Sequence, residues 1–309
     1  MWNLSFSPPE ITEARILTRL PDNFRETKAT EWSQANKPGQ KIESFLEGPS
    51  FDVHGNLWVT DIPNGRIFRI DPDLNWELVA QYDGWPNGSA FHADGKLWIA
   101  DYRLGILSLD PETGKIEPVL PHRNSESLKG VNDLTFDAAG ACYFTDQGQT
   151  GMHDPSGRVY KLNPNGRLET LLNNVPSPNG LALSPAQDAL HVAATRANAL
   201  WRVPITHDGA VNKVGTFQTF FGASGPDGLA VDVEGGISVG HASLKGVFRL
   251  NAAGEITHYV RSPIGATVTN IAFRPGTRKL VIVESQTGTL LEADMPAEGQ
   301  ALYSHSGER

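Results

Sequence analysis

The stretch FDVHGNLWVTD (51–61), followed by GRIFRIDP (65–72), holds the pattern that decides the fold. It reads as an apolar anchor, a Gly-containing turn, a β-rich run, a second turn and another β-rich run. Five more copies follow: FHADGKLWIAD (91–101), FDAAGACYFTD (136–146), LSPAQDALHVAAT (183–195), VDVEGGISVGH (231–241) and FRPGTRKLVIVES (273–285). The anchors Phe51, Phe91, Phe136, Leu183, Val231 and Phe273 are spaced by 40, 45, 47, 48 and 42 residues. That period fits a four-stranded propeller blade. Within each copy the alternation is two-fold, as in LWVTD, so the elements are strands. Six copies predict an all-β, six-bladed β-propeller with four-stranded blades. Stacked β-sandwiches would not need six similar copies. No linker divides the copies, so residues 1–309 are expected to form a single domain. The segment 1–45 precedes the first copy, and ARILTRLP (14–21) within it is expected to supply a strand that closes the ring against the last blade.

Composition narrows the function classes. Lys and Arg total 26 against 35 Asp and Glu, a net charge of −9, and no basic run occurs, so a nucleic-acid partner is not expected. No stretch approaches the length of a transmembrane helix. The N-terminal MWNLSFSPPEITEARILTRL has no basic run leading into an apolar one, so a cytoplasmic protein is expected, a monomer by default. The lone Cys142 lies in a strand pattern and reads as a small buried residue.

Four residues before each anchor stand Glu47, Asn87, Asn132, Asn179, Asp227 and Thr269, the last with Asn270 beside it. Equivalent positions of innermost strands meet near a propeller's axis, so five of the six copies would place a carboxylate or carboxamide there. Such a ring of oxygens suits a hard divalent cation. Turn formation accounts for the Asn-Gly and Asp-Gly pairs singly, but poorly for Glu47-Gly48 and not for Asn132-Asp133. The second strand of each copy returns to the same face, so Asp61, Asp101, Asp146, Thr195, His241 and Ser285 should rim that mouth, with Tyr102, Arg103, Gln147 and Arg196 reaching over it. Asp61, Asp101 and Asp146 read equally well as carboxylates that accept turn N–H groups.

Four segments together resemble the gluconolactonase, regucalcin (senescence marker protein) and luciferin-regenerating enzyme family: EGP (47–49), VND (131–133) leading to YFTD, PNGLALS (178–184) and PDGLAVD (226–232). The resemblance covers roughly 42–295. It implies one catalytic divalent cation on the axis, held at the positions of Glu47, Asn132, Asn179 and Asp227. Ca²⁺ is expected first, although oxygen sites also accept Zn²⁺, Mn²⁺, Mg²⁺ or Fe²⁺. Members of the regucalcin type have Arg two residues before the third-blade Asn, where this chain has Gly130, so a sugar-binding guanidinium is missing there.

The expected activity is opening of a sugar-type or related small lactone to its hydroxy acid. The expected base is Asp227, with Asp146 in reserve; Asn87, Tyr102, Arg103, Asp146, Arg196 and His241 are expected to bind substrate. Two alternatives share the architecture: a phosphotriesterase like diisopropyl-fluorophosphatase, and a non-enzymatic scaffold. No G-x-S-x-G, HExxH, P-loop or helix-opening GxGxxG sequence offers another chemistry.

Overall fold

Strands such as Leu57–Asp61 carry apolar side chains on both faces, so both faces need cover, and sheets stacked radially supply it. The computed structural model describes residues 7–305 and shows a six-bladed β-propeller, nearly all β. The blades span 46–81, 86–120, 131–175, 178–219, 226–261 and 268–294. Their first strands are Leu46–Phe51, Pro86–Phe91, Val131–Phe136, Pro178–Leu183, Pro226–Val231 and Val268–Phe273. Every one ends on a sequence anchor. They pack side by side in a closed ring, the sixth against the first.

The last blade has three strands of its own. Its fourth is Arg15–Arg19, which pairs antiparallel with Thr289–Asp294 and lies within the expected ARILTRLP segment. Arg15 also forms an ion pair with Glu292. Two features had no sequence warning. Glu10–Glu13 adds to blade five as a fifth strand, parallel to Ile256–Arg261. A short helix, Glu31–Asn36, follows Thr30, whose hydroxyl accepts from the Ser33 amide in a reciprocal capping pair.

The core lies between blades. Trp58, from the second strand of blade one, packs edge-on against Phe91 of blade two at 5.6 Å. Its neighbours Leu57 and Val59 point the other way, into a cluster with Val281, Val283 and Leu290 of blade six. Hydroxyls clamp successive blades at the axis. Thr60 donates to the Asn87 carbonyl (2.7 Å), Thr145 to Asn179 (2.8 Å), Thr195 to Pro226 (2.7 Å) and Ser285 to Leu46 (2.6 Å). Thr195 and Ser285, expected on the rim, therefore join neighbouring blades. The second strands of blades four and six stop one residue before them, at Ala194 and Glu284.

The far end of the axis holds a cavity of about 150 Å³ with a mixed polar and apolar lining that reaches Asp133 and Asn270. Phe51, Phe91 and Phe136 line it together with Ala301, Leu302 and Tyr303 of the C-terminal segment. That segment is fixed by Gln300 N–H on the Val231 carbonyl (2.9 Å) and by Tyr303 against Phe136 (5.6 Å). Among the described residues, no helix is long and apolar enough to cross a membrane.

One buried histidine makes the fold acid-sensitive. His191 sits against Phe217 at 5.2 Å, 5% exposed, with Nδ1 unpaired among the described residues. Burial, then the Arg202 charge, lowers its pKa to about 4. Its unfolded value is higher, so between about pH 6.5 and 4 the unfolded chain binds a proton that the folded chain refuses, and stability falls as pH falls. His191→Leu is expected to lose about 2–3 kcal/mol less than wild type between pH 7 and 4.5, measured by urea denaturation. Equal losses in both proteins would contradict this assignment.

Candidate active site

The six axial positions read from the sequence occupy one structural place, the second residue of each inner strand. Pairing with the second strand slips just after it in every blade: between Glu47 and Ser50, Pro86 and Ser89, Val131 and Leu134, Pro178 and Leu181, Pro226 and Leu229, and Val268 and Ile271. Such irregularities re-aim side chains. The residue after the axial position is Gly48, Gly88, Gly180 or Gly228 in four blades, and Asp133 or Asn270 in the other two. Close approach explains the glycines. A Cβ on Gly88 would lie 2.0 Å from Asp133 Oδ1, and one on Gly228 would lie 2.1 Å from Asn270 Oδ1.

Glu47, Asp133 and Asp227 are all buried and act on one another. Burial drives Glu47 up to about 7, although Gly48 N–H (2.8 Å), Asn270 and Thr269 hydrogen-bond its carboxylate. Asp133 rises to about 8, through burial first and the Glu47 charge second. Its Oδ1 accepts from Leu134 N–H (2.8 Å) and its Oδ2 from Asn270 Nδ2 (3.3 Å). Asp227 is pushed well up by burial and by the Glu47 and Asp133 charges, while Asn179 bonds to it and Lys37 opposes the shift. Residues of blades one, three, four, five and six thus converge. Asn132 joins them from the same strand position; its Nδ2 donates to Gln147 Oε1 (3.1 Å), leaving its carbonyl oxygen as the remaining acceptor. Gln147 is in turn held by Ser177 (3.0 Å). Asn87 has the equivalent place in blade two, and its side chain makes no hydrogen bond among the described residues.

The donor set fits a hard divalent cation. Three crowded carboxylates have no ion-paired cation among the described residues, and carboxamide oxygens surround them. Among the described residues no three His, Cys, Asp or Glu side chains form a metal-holding group by themselves. The fit depends on the Asn oxygens, so it favours hard cations over Zn²⁺.

The rim residues divide. Asp61, Asp101 and Asp146 take the N–H-accepting role: Asp61 from Phe45 (2.8 Å), Asp101 from Arg103 (2.8 Å) and Leu104 (2.9 Å), Asp146 from Gly130 (2.9 Å). Asp146 is fully buried; burial raises its pKa, and its Oδ2 has no partner among the described residues. His241 is also fully buried, near Phe220 (5.7 Å) and Phe248 (6.1 Å), with its pKa lowered by burial to about 4. Its Nε2 lies 3.3 Å from Asn198 Oδ1, and its Nδ1 accepts from Ser243 N–H (3.4 Å). Arg103 is spent on Asp83 (3.0 Å), the Trp85 ring (5.5 Å) and Glu31 of the short helix (3.8 Å). Arg196 remains exposed at the mouth, without an ion pair among the described residues.

Tyr102 covers Gly130. Its hydroxyl oxygen accepts from Gln149 (2.8 Å), and its ring lies 5.9 Å from Trp85. Gly130 has φ +150°, and a Cβ there would sit 2.5 Å from Tyr102 Cζ. Any side chain at 130 thus conflicts with both backbone and ring. Gly130→Ala is expected to cost about 1–3 kcal/mol, with Tyr102→Ala in the same chain recovering the steric part. Chemical denaturation of the double-mutant cycle checks this; strict additivity would reject the contact.

Lys37 was not foreseen. It caps the short helix, and its Nζ lies 5.2 Å from the ring centroid of Phe45, the residue just before the first inner strand. Its pKa is lowered by burial, raised again by Asp227 and lowered further by Arg196. Trp32 of the same helix packs on Phe45 at 4.9 Å. No repeat pattern covers this segment, so sequence spacing gave no hint of it.

A six-bladed propeller with an axial ring of carboxylate and carboxamide oxygens defines the class. Residues 45–286 match the family described as the SMP-30/Gluconolactonase/LRE-like region, and the chain belongs to that family. A curated relative, lactonase drp35 of Staphylococcus aureus, is 28% identical over 291 residues, covering 85% of each chain. Among solved structures, a calcium-binding regucalcin from Agrobacterium tumefaciens superposes with TM-score 0.75 at 20% identity, over 96% of this chain and 97% of its own. A gluconolactonase from Xanthomonas campestris gives 0.74 at 21% identity, over 94% and 99%.

Proposed function

We propose that this chain is a divalent-cation-dependent lactonase that opens a small lactone to its hydroxy acid. The observation that carries the reading is the convergence of Glu47, Asn179 and Asp227, from three separate blades, on one buried axial point. The name of the drp35 relative supports the reaction class, and the regucalcin structure supports Ca²⁺ as the first ion to test. Glu47, Asn132, Asn179 and Asp227 would hold the cation. When bound, it would supply Lewis-acid polarisation of the carbonyl and stabilise developing oxyanion charge.

The chain's own residues do the remainder. Gln147 fixes which face the Asn132 carboxamide presents. Tyr102 and Trp85 form an aromatic wall on the side where Gly130 offers no side chain. Asp227 is the proposed base, because Asp146 is enclosed and already accepts from Gly130 N–H. Asp227 would take the proton from water as the carbonyl is attacked and return it to the departing ring oxygen.

The test is to strip the protein with chelator, restore single divalent ions and follow proton release on lactones and fluorophosphates. Activity should vanish on stripping and return with Ca²⁺ on lactones. Full activity in excess chelator would overturn metal dependence, and turnover confined to fluorophosphates would overturn the lactone assignment.

A further inference from the structure

A small residue stands just before each anchor. The fifth residues of the six inner strands are Ser50, Ala90, Thr135, Ala182, Ala230 and Ala272. All of them line the cavity of about 150 Å³ between the axial ring and the C-terminal segment. Small side chains at equivalent places in every blade would serve close packing if the blades met there. Instead the space stays open, in the kind of interior that normally closes over voids larger than a water molecule. A core cavity of about this size takes up benzene.

The lining leaves a narrow chemical choice. Toward the ring its polar side chains are spent on one another. Ser89 donates to the Gly48 carbonyl (2.7 Å), so Ser50, 3.0 Å away, donates to Ser89. Asn270 gives Nδ2 to Asp133 Oδ2 (3.3 Å) and takes the Ile271 N–H on Oδ1 (2.8 Å). Gln300, at the C-terminal end, differs. Its backbone N–H is fixed on the Val231 carbonyl (2.9 Å), yet its side-chain Oε1 is buried without a partner among the described residues. Such an acceptor carries the full penalty of an unmade hydrogen bond. Phe51, Phe91, Phe136 and Phe273 supply apolar wall. No Lys, Arg or His lines the cavity, so an anion would find no partner, and a cation would face the divalent ion proposed for the axis.

We infer that this cavity is a second ligand site, for a small neutral ring compound bearing one hydroxyl. The ring lies against the phenylalanines, and the hydroxyl donates to Gln300 Oε1. A mostly apolar wall with one placed polar group is the usual make-up of a small-molecule site. The site lies across the axial ring from the mouth and stands whether or not the chain opens lactones.

The full chain is titrated with para-fluorophenol, para-fluorotoluene and para-fluorobenzoate, and binding is read by fluorine NMR. One molecule per chain should bind saturably, the phenol about tenfold tighter than the toluene and the benzoate weaker than both. Ala90→Leu and Ala230→Leu, in different blades, each put a larger side chain into the space and should abolish binding while the urea midpoint is retained. Gln300→Leu should weaken the phenol about tenfold, to the level of the toluene, with the toluene unchanged. Should a Leu variant at 90 or 230 lose its cooperative transition, Gln300→Leu carries the test, because its backbone bond to Val231 is untouched. No saturable binding to wild type, as for a cavity that holds only water, overturns the inference. So does binding that survives both filling substitutions, or a phenol preference that survives Gln300→Leu. None of these readouts requires turnover, so loss of the lactonase reading and loss of this site are told apart.

Discussion

Glu47→Gln and Asp227→Asn are each expected to reduce lactone hydrolysis by on the order of 10³-fold and to abolish retention of a divalent ion. Each replacement keeps the shape and removes one negative charge from the axis. The same change relieves repulsion. Burial and mutual charge push Glu47, Asp133 and Asp227 upward, so the metal-free ring is under electrostatic stress. Metal-free variants should therefore melt at or above the temperature of metal-free wild type. Wild type should gain about 3–4 kcal/mol from ion at 100 to 1,000 times its dissociation constant, and the variants should gain almost nothing. Activity loss with an unchanged ion-induced melting shift would reject the axial ring as the ion's site.

Deleting residues 1–21 is expected to remove most of the stability, more than about 5 kcal/mol, leaving a protein without a cooperative transition. The deletion takes Arg15–Arg19 from blade six and Glu10–Glu13 from blade five at once. It removes Leu20, which is 1% exposed, along with its amide bond to the Gly288 carbonyl (2.9 Å) and the Trp76 bond to Thr18 (3.0 Å). It also bares the Thr289–Asp294 edge, an invitation to pairing between chains. A truncated protein with the full-length urea midpoint would contradict the closure described above.

What could be read beforehand follows from how each feature is encoded. Six anchors end six inner strands because the turn after each needs a fixed chemistry; Asp52, for example, accepts from His54 and Asn56 N–H (both 2.9 Å) and from Trp58 Nε1 (2.9 Å). The axial residues inherit that regularity. Asp133 and Asn270 were harder to place, since their signal was a departure from the glycine of the other four copies. The rim carboxylates were ambiguous in principle: an aspartate that orders a loop and one that binds a ligand share one letter, and only the N–H groups each accepts separate them. Glu10–Glu13 gave no alternation because, as an outermost added strand, it lies mostly exposed. Lys37 gave none because its place depends on a helix outside the repeat.

Placing Ala301, Leu302 and Tyr303 beneath the axis gives the barrel a floor. A molecule resting on the axial oxygens would then have the C-terminal segment on one side and the loops of the mouth on the other. Product still in residence keeps the next molecule waiting outside, so the acid it forms should compete head-on with its own precursor.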